Sequence, residues 1–186
     1  MSISQLKEKA KNYEFYSFGT TRIFEKRASK LKSLRTWITF LGLVTPVVVG
    51  GAVLSFGFES PVLPIFLTAA GVVGIIQLVL STWSIVARWD ETYEYAVESL
   101  RSNTELYNQW KSIKDETDEA TLKKESELLV KKYEEREFKD LGQNITDKEK
   151  RFANHETLKY YKQECHVCNQ IPKSIKATKC SGCGNF

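Results

Sequence analysis

Two stretches of this chain contain no charged residue, and each is long enough to cross a lipid bilayer. The first lies between Arg35 and Glu59 and includes a mostly apolar run from Trp37 to Phe56. At about 1.5 Å per residue this run forms about 30 Å of helix, which is the thickness of one hydrocarbon core. The second run covers residues 62–87 and exceeds that length, so we expect it to tilt or to project. The sequence therefore predicts a membrane protein.

The short segment FGFESP separates the two stretches and predicts a helical hairpin. Helices satisfy their own backbone hydrogen bonds, as hydrocarbon requires. A single apolar run of this kind is also compatible with the core helix of a soluble protein, but two in tandem favour a membrane. A cleavable signal peptide fits less well, because the first apolar run begins only near residue 36, behind a long charged region.

The basic residues predict the orientation of this hairpin. Nine Lys and Arg residues lie within residues 1–35, none lies in the 57–63 loop, and Arg88 begins another basic-rich region. Basic segments stay on the cytoplasmic side, so we expect both termini in the cytoplasm. Three indoles lie near the same predicted boundary, where Trp prefers the headgroup region: Trp37, Trp83 and Trp89. The net charge of +4 is then a signal of orientation rather than of nucleic-acid binding.

The whole pattern predicts an all-α membrane protein: a two-helix transmembrane hairpin with a cytoplasmic helical extension and a small C-terminal zinc ribbon. Four regions are predicted: an N-terminal cytoplasmic helical region at 1–35, the hairpin at 36–87, a cytoplasmic helical region at 88–163, and a zinc-ribbon-like tail at 164–186. The N-terminal region is expected to be helical after Gly19 and to run into the first span. An earlier aromatic cluster is expected to pack against another cytoplasmic helix: Tyr13, Phe15, Tyr16 and Phe18.

Three helices are predicted between residues 88 and 163. The first continues from the second span to about Ile113, and the second covers about 118–139 after a polar turn rich in N-cap residues. The third covers about 147–163, where Thr146 and Glu149 form a capping-box pattern. Apolar stripes follow the first two helices: Tyr93, Val97, Leu100, Tyr107, Trp110, Leu122, Leu128, Leu129, Tyr133 and Phe138. Such stripes pair within or between chains, and we favour pairing between chains. The charged residues are expected on solvated faces.

All four cysteines lie in the last 22 residues, as Cys165-x-x-Cys168, an eleven-residue spacer and Cys180-x-x-Cys183. Two thiolate pairs provide the four corners of a tetrahedron about 2.3 Å from Zn²⁺. Zinc is therefore the predicted cofactor; an iron centre and a pair of disulfides are the alternatives, although a cytoplasmic tail is a reducing environment. Fewer than 30 residues cannot bury enough apolar surface to fold alone, so the metal is expected to supply most of the tail's stability.

The residues around the cysteines have expected roles as well. Gly182 and Gly184 are expected to let the second pair turn tightly, and residues 171–178 to form a short ribbon between the pairs. His155 and His166 are expected to be bystanders rather than ligands. Four protein ligands leave no open position for substrate, which argues against metal catalysis.

The two spans carry further candidate residues. In the second span, small and polar residues share one helical face: Ala70, Gly74, Gln77, Ser81 and Ser84. This stripe is either a helix-packing seam or the wet lining of a pore. In the first span, Pro46, Gly50 and Gly51 form either a hinge or an irregularity that neighbouring helices tolerate. There is no phosphate-binding glycine loop, nucleophile elbow or zincin helix, so the sequence does not predict an enzyme.

The chain resembles the SLATT family of two-transmembrane effectors that accompany nucleotide-processing genes in bacteria. The resemblance lies in RASKLKSLRTW before the first span, ARWDETYEYAVESLRSNTELY after the second, and the four-cysteine ending. It is especially similar to the branch on mobile elements that has this cysteine spacing. The resemblance implies a pore-forming effector of antiviral defence in the inner membrane, opened by a linked sensor. Such sensors include nucleotidyltransferases that make cyclic nucleotides, and reverse transcriptases.

Two functional hypotheses follow. In the first, the chain is a homo-oligomeric channel in the lipid bilayer, because two helices cannot enclose an aqueous path by themselves. In the second, the hairpin is an anchor, and the zinc ribbon with its helices holds a protein or nucleic-acid partner. Direct nucleic-acid binding stays open at this point, since three lysines on the loop between the cysteine pairs are also typical of an ordinary soluble surface.

Overall fold

A computed structural model describes residues 3–56, 61 and 63–186 of the chain. Within these residues there are five helices and no strand. The helices are α1 (Ile3–Phe56), α2 (Leu63–Val86), α3 (Trp89–Ile113), α4 (Glu119–Leu141) and α5 (Asp147–Tyr161). The all-helical prediction is confirmed. Residues 57–60 of the predicted turn between the two apolar stretches lie outside the described residues.

The chain divides into two compact units. The helical unit consists of the chain up to Arg27 and from Tyr95 to Phe186, and the apolar unit consists of Ala28–Glu94. The helical unit is thus discontinuous in sequence, and the cysteine-containing tail belongs to it. The start of α1 and the end of α3 contribute to the helical unit, and the remainder of each contributes to the apolar unit.

The core of the helical unit is formed by apolar faces of α1, α3 and α4. Leu6 and Ala10 of α1 lie in one buried cluster with Trp110 of α3 and Leu122 and Leu129 of α4. The ring of Tyr13 stacks on Trp110 at 4.8 Å and lies 4.6 Å from the ring of Tyr133. Burial of such aromatic and aliphatic side chains, at roughly 1.5–3 kcal/mol each, holds the three helices together.

The expected pairing of apolar stripes between chains is wrong for these core residues. The buried parts of both stripes meet within one chain, because the first turns of α1 supply a third apolar face. The sequence predicts this helix only after Gly19, whereas in the structure it begins at Ile3. Leu128 and Phe138 do stay exposed, with 80% of Phe138 accessible to solvent.

The N-terminal aromatic cluster packs against another helix, as expected. Phe18 stacks on Tyr160 of α5 at 4.4 Å, and Phe15 lies 5.9 Å from the ring of Tyr161. Gly19 follows Phe18 and lets α1 approach α5 closely, since a Cβ there would lie 3.0 Å from Oγ1 of Thr157. This position of α1 therefore requires a small residue, rather than a flexible backbone.

The helix ends confirm the predicted caps, but the helix predicted to continue from the second span to Ile113 is interrupted. The Asp118 side chain accepts a hydrogen bond from the Thr121 N–H, and Thr146 and Glu149 form a complete capping box. By contrast, the second apolar helix and α3 are separate helices, because Arg88 adopts a left-handed conformation with φ of 51°. No glycine or proline marks this break in the sequence, so helical periodicity alone does not reveal it.

A buried polar network joins α3 to α4 in the helical unit. Asp140 accepts hydrogen bonds from Tyr95 (2.8 Å), Ser99 (2.8 Å), Asn103 (2.9 Å) and Arg136 (2.6 Å). Only 5% of Arg136 and 4% of Asp140 are exposed. The expectation that charges on these helices lie on solvated faces is therefore wrong for this pair. Burial raises the pKa of Tyr95 well above its usual range, so its hydroxyl stays a donor.

An ion pair connects α1 to the start of α5. The Arg27 guanidinium binds both carboxylate oxygens of Glu149, at 2.6 and 2.8 Å, and also donates to the Gln143 carbonyl at 2.9 Å. The pair is partly buried and bidentate, which is the geometry in which such pairs contribute most. Hydrogen bonding from Arg27 lowers the pKa of Glu149 to about 2.

We expect this pair to make stability depend on acidity. Glu149 has a folded pKa below its ordinary 4.5, so its contribution is present above pH 4.5 and is lost as the pH falls towards 2. Arg27→Met should therefore lower the unfolding free energy by about 2 kcal/mol at pH 7, and by less at pH 3. Denaturant unfolding of the full chain in detergent, followed by circular dichroism, measures both values.

The matched control for this test is Lys150→Met. Lys150 forms an exposed ion pair with Asp147 at 3.4 Å, so its replacement should change stability by less than about 0.5 kcal/mol at either pH. An equal loss for Arg27→Met at pH 7 and pH 3 would show that the pair with Glu149 does not carry the effect.

The apolar unit contains two helices that are long and apolar enough to cross a membrane. Only 6% of the most apolar window of each helix is buried, whereas the core helix of a soluble protein is mostly buried. The helices lie antiparallel, with Gln77 of α2 beside Ile38 of α1 and with Arg35 paired to Asp90 at 2.9 Å. Exposed apolar side chains follow both helices: Leu43, Val47, Leu54, Ile65, Ile75, Leu78, Ile85 and Val86.

Candidate metal centre

The four predicted cysteine ligands come together in the structure. The sulfur atoms of Cys165 and Cys180 are 3.9 Å apart, those of Cys168 and Cys183 are 3.8 Å apart, and all four lie within 4.8 Å of one another. A zinc ion with four bonds of about 2.3 Å requires sulfur separations of about 3.8 Å. Bonded disulfide sulfurs are about 2.0 Å apart, and all four cysteines are free. The donor set therefore fits a tetrahedral metal ion and not a pair of disulfides.

Each cysteine pair lies in a tight turn that backbone hydrogen bonds hold. In the first turn, the Asn169 N–H donates to the Cys165 carbonyl at 2.7 Å, and the Cys165 N–H donates to the Gln170 carbonyl at 3.1 Å. In the second turn, the Gly184 N–H donates to the Cys180 carbonyl at 2.9 Å. The four sulfurs are thus positioned by the main chain, as a rigid metal site requires.

The glycines of the second turn allow close approach rather than an unusual φ. A Cβ on Gly182 would lie 2.7 Å from Val167 and 3.3 Å from the Cys165 sulfur, and one on Gly184 would overlap the backbone of Thr178. The left-handed residues of the tail are Asn169 and Asn185, with φ of 53° and 55°. Asn tolerates that conformation better than most side chains.

The prediction of a short ribbon between the two cysteine pairs is wrong. Residues 171–178 are irregular with a bend at 174–176, and the described tail contains no strand. The connection is held by single hydrogen bonds instead, such as the one that the Asn185 N–H donates to the Thr178 carbonyl at 2.8 Å. Ile175 is 76% exposed, so the connection lacks an apolar face on which a sheet could pack.

The thiols differ in acidity because their surroundings differ. Backbone N–H groups of Cys183 and Gly182 lower the pKa of Cys180 to about 7. Burial raises the pKa of Cys183 well above its usual range. A metal cation stabilises all four thiolates and so offsets the cost of burying a negative charge. Metal binding therefore releases protons and weakens as the pH falls.

Helix α5 supports the metal site through three polar side chains. The ring of His155 is buried, with Nδ1 2.8 Å from the Cys183 carbonyl and Nε2 2.7 Å from the Ser174 carbonyl. Asn154 donates to the Gly182 carbonyl at 2.8 Å, and Arg151 donates to the Asn185 carbonyl at 3.0 Å. The sequence predicts His155 as a bystander and does not predict this role. The signal was present in the sequence, since these three residues share one face of a helix just before the cysteines.

Other sequence-predicted residues are not part of the sulfur cluster. His166 is exposed on the first turn, outside the sulfur cluster. Gln77 donates to the Ile38 carbonyl at 3.4 Å, and its amide nitrogen would lie 2.5 Å from a Cβ on Gly42. The rest of its stripe continues along α2, mostly half-buried: Ala70, Gly74, Ser81 and Ser84. The predicted hinge residues lie within continuous helix in α1: Pro46, Gly50 and Gly51.

Comparison with known protein families identifies the chain at the level of its family. Residues 7–186 match the family described as Mobilome CxxCx(11)CxxC protein. The chain belongs to this family. The Mobilome CxxCx(11)CxxC spacing is the one that brings the four sulfurs together here, and the predicted relation to mobile-element proteins with this cysteine tail is confirmed. Searches of curated proteins and of solved structures found no match.

Proposed function

We propose that this Mobilome CxxCx(11)CxxC protein is a SLATT-type, pore-forming effector of a bacterial antiviral defence system. It forms a homo-oligomer in the inner membrane, crosses the membrane twice and keeps both termini in the cytoplasm. A signal from a linked sensor opens it and so permeabilises or depolarises the membrane. The sensor is a cyclic-nucleotide-producing nucleotidyltransferase or a reverse transcriptase system.

The observation that carries this proposal is the exposed apolar surface of α1 and α2. Large side chains such as Leu54, Ile65 and Ile85 are 89%, 69% and 78% exposed along two helices of membrane-spanning length. Water does not tolerate so continuous an apolar surface, but lipid and neighbouring copies do. Two helices leave no room for an aqueous path, so conduction requires several copies.

The helical unit has the properties of a regulatory part in this proposal. Its core, buried Arg136–Asp140 ion pair and cysteine cluster make a compact body that can bind a signal or a second copy. A signal opens the pore only if it binds the open state more tightly than the closed state. The zinc ion is structural here, since four cysteine ligands leave no position for a reacting molecule.

A membrane-tethered binding protein is the second candidate, and one observation favours it. The amide of Gln77 is directed towards the Ile38 carbonyl and Gly42 within the chain, so the polar stripe already has a partner in the hairpin. In that case the hairpin is an anchor, and the metal module with its helices holds a protein or nucleic-acid partner.

Reconstitution in dye-loaded liposomes tests the pore. With the active sensor system present, we expect leakage that rises more steeply than linearly with the number of chains per liposome. Gln77→Leu should lower this leakage about tenfold, because a hydrogen bond between membrane helices contributes about 1–2 kcal/mol. The matched control is Leu78→Ile, at a 69% exposed neighbouring position, which should leak as the unaltered chain does.

Two outcomes separate the candidates. Replacement of both apolar stretches by scrambled apolar sequence should abolish leakage if α1 and α2 form the pore. The same replacement should preserve function, that is, binding of the partner, if they are an anchor. Absence of leakage at every protein-to-lipid ratio, with the active sensor system present, would count against the pore.

A further inference from the structure

A cavity of about 660 Å³ opens in the helical unit, with walls from α1, α4 and α5. The walls from α1 and α5 include apolar, buried side chains, since Ile23, Ala153 and Leu158 are at most 7% exposed. The volume lies in the range of small-molecule sites, which are mostly apolar with a few polar groups that orient the bound molecule. The apolar walls are therefore suited to the body of a small organic molecule.

The α4 wall of the same cavity is polar. Tyr133, Glu137 and Asp140 follow one another at spacings of four and three residues, so one face of α4 lines the cavity. Asn103 of α3 also lines it, although only 3% of this residue is exposed. A cavity with apolar walls and one polar wall favours a molecule that has an apolar body and a polar end.

Two polar atoms of these lining residues have no hydrogen-bond partner among the described residues. The Asn103 amide nitrogen donates to the Ser99 carbonyl (3.0 Å), the Ser99 hydroxyl (3.1 Å) and the Asp140 carboxylate (2.9 Å), so Oδ1 is left as a free acceptor. The hydroxyl of Tyr133 is the second such atom. Both atoms retain accessible surface, so a molecule in the cavity can reach them. A deeply placed acceptor without a donor favours a molecule that supplies N–H groups.

The charges around the cavity favour a cation. Glu137 and Glu164 line it, and none of the ion pairs in the described part of the chain includes either carboxylate. Asp140 is already paired with Arg136, and the lysine of the lining, Lys150, is paired with a neighbouring carboxylate. The uncompensated charge is therefore negative, which attracts a cation and repels phosphates and carboxylates.

We propose that this cavity binds a primary ammonium compound with a small aromatic body. An ammonium group has three N–H donors, which match in number the Asn103 Oδ1, the Tyr133 hydroxyl oxygen and the Glu137 carboxylate. The rings of Phe15 and Tyr16 also line the cavity, and aromatic rings pack favourably on one another. This inference rests on the helical unit alone and does not depend on the proposed membrane function.

Phenethylamine is the probe, titrated into the full chain in detergent at pH 7 by isothermal titration calorimetry. We expect saturable binding that Tyr133→Phe and Glu137→Gln each weaken about two- to fivefold, the effect of one lost hydrogen bond or one partly exposed ion pair. Tyr133→Phe keeps the ring, and Glu137 is exposed, so both variants should unfold at the denaturant concentration of the unaltered chain. The matched control is Glu135→Gln, which lies on α4 outside the cavity and should bind as the unaltered chain does.

Three further probes define the class of compound. Phenethyl alcohol should bind more weakly because it lacks the charge, and methylammonium more weakly because it lacks the aromatic body. Phenylacetate should bind least, since its charge has the opposite sign. Phenethyl alcohol or phenylacetate binding as tightly as phenethylamine would overturn the ammonium assignment. No saturable binding of phenethylamine up to about 10 mM, or equal weakening by Glu135→Gln and Glu137→Gln, would overturn the site itself.

Discussion

Removal of the metal is expected to unfold the tail of the helical unit, which is the largest effect we predict. Structural zinc sites contribute about 10–16 kcal/mol of apparent binding energy, and residues 164–186 are too few to fold without it. Cys183→Ser should lose the metal and expose the tail to protease, because it removes one of the four sulfur ligands. Elemental analysis should find one zinc per chain before the change and none after it.

The control for this experiment is His166→Ala. His166 lies on the first cysteine turn but is exposed and outside the sulfur cluster, so metal content and protease resistance should stay the same. Chelation of the unaltered chain should reproduce the Cys183→Ser result. If the metal-free chain kept a protease-resistant tail, the structural role of the metal would be refuted, and iron in the purified protein would refute the choice of zinc.

Asp140→Ala is expected to destabilise the helical unit by about 3–5 kcal/mol. The substitution leaves the guanidinium of Arg136 in a site where only 5% of that residue is exposed, without its 2.6 Å carboxylate partner. It also leaves donors of Tyr95 and Asn103 without their acceptor. Chemical denaturation of the full chain in detergent measures the loss.

Two variants distinguish loss of charge pairing from loss of packing. Glu98→Ala removes the second carboxylate that pairs with Arg136. The Glu98 side chain is 60% exposed, so the expected loss of stability is below about 1 kcal/mol. Arg136→Met combined with Asp140→Leu should recover much of the stability, because apolar replacement of a buried pair is often neutral. A loss of less than about 1 kcal/mol for Asp140→Ala would contradict the network's role.

The features that sequence predicted correctly depend on short-range chemistry. Thr146 and Glu149 are three residues apart, so their reciprocal hydrogen bonds follow from local geometry. The two Cys-x-x-Cys turns are local in the same sense, and only their convergence requires the fold. Long uncharged runs likewise identify α2 and the second part of α1 without knowledge of any neighbour.

The features that sequence missed depend on partners far along the chain. Arg136 and Asp140 look like two more charges on a polar helix until Tyr95, Ser99 and Asn103 are placed beside them. The pairing of apolar stripes was wrong for a related reason, since Leu6 and Ala10 lie about 100 residues from the α3 residues that they cover. Arg88 is different, because its left-handed φ has no marker in its residue type.

The discontinuous helical unit also constrains the order in which the protein folds. Leu6 packs in the same cluster as Leu129, so the first turns of α1 leave the ribosome well before that partner exists. At about 5–20 residues per second, synthesis of the intervening chain takes roughly 6–25 seconds. During that interval the apolar helices are synthesised, whereas the N-terminal segment still lacks its core. Assembly of the helical unit is therefore a late step that closes long-range contacts, which makes it slow compared with local helix formation.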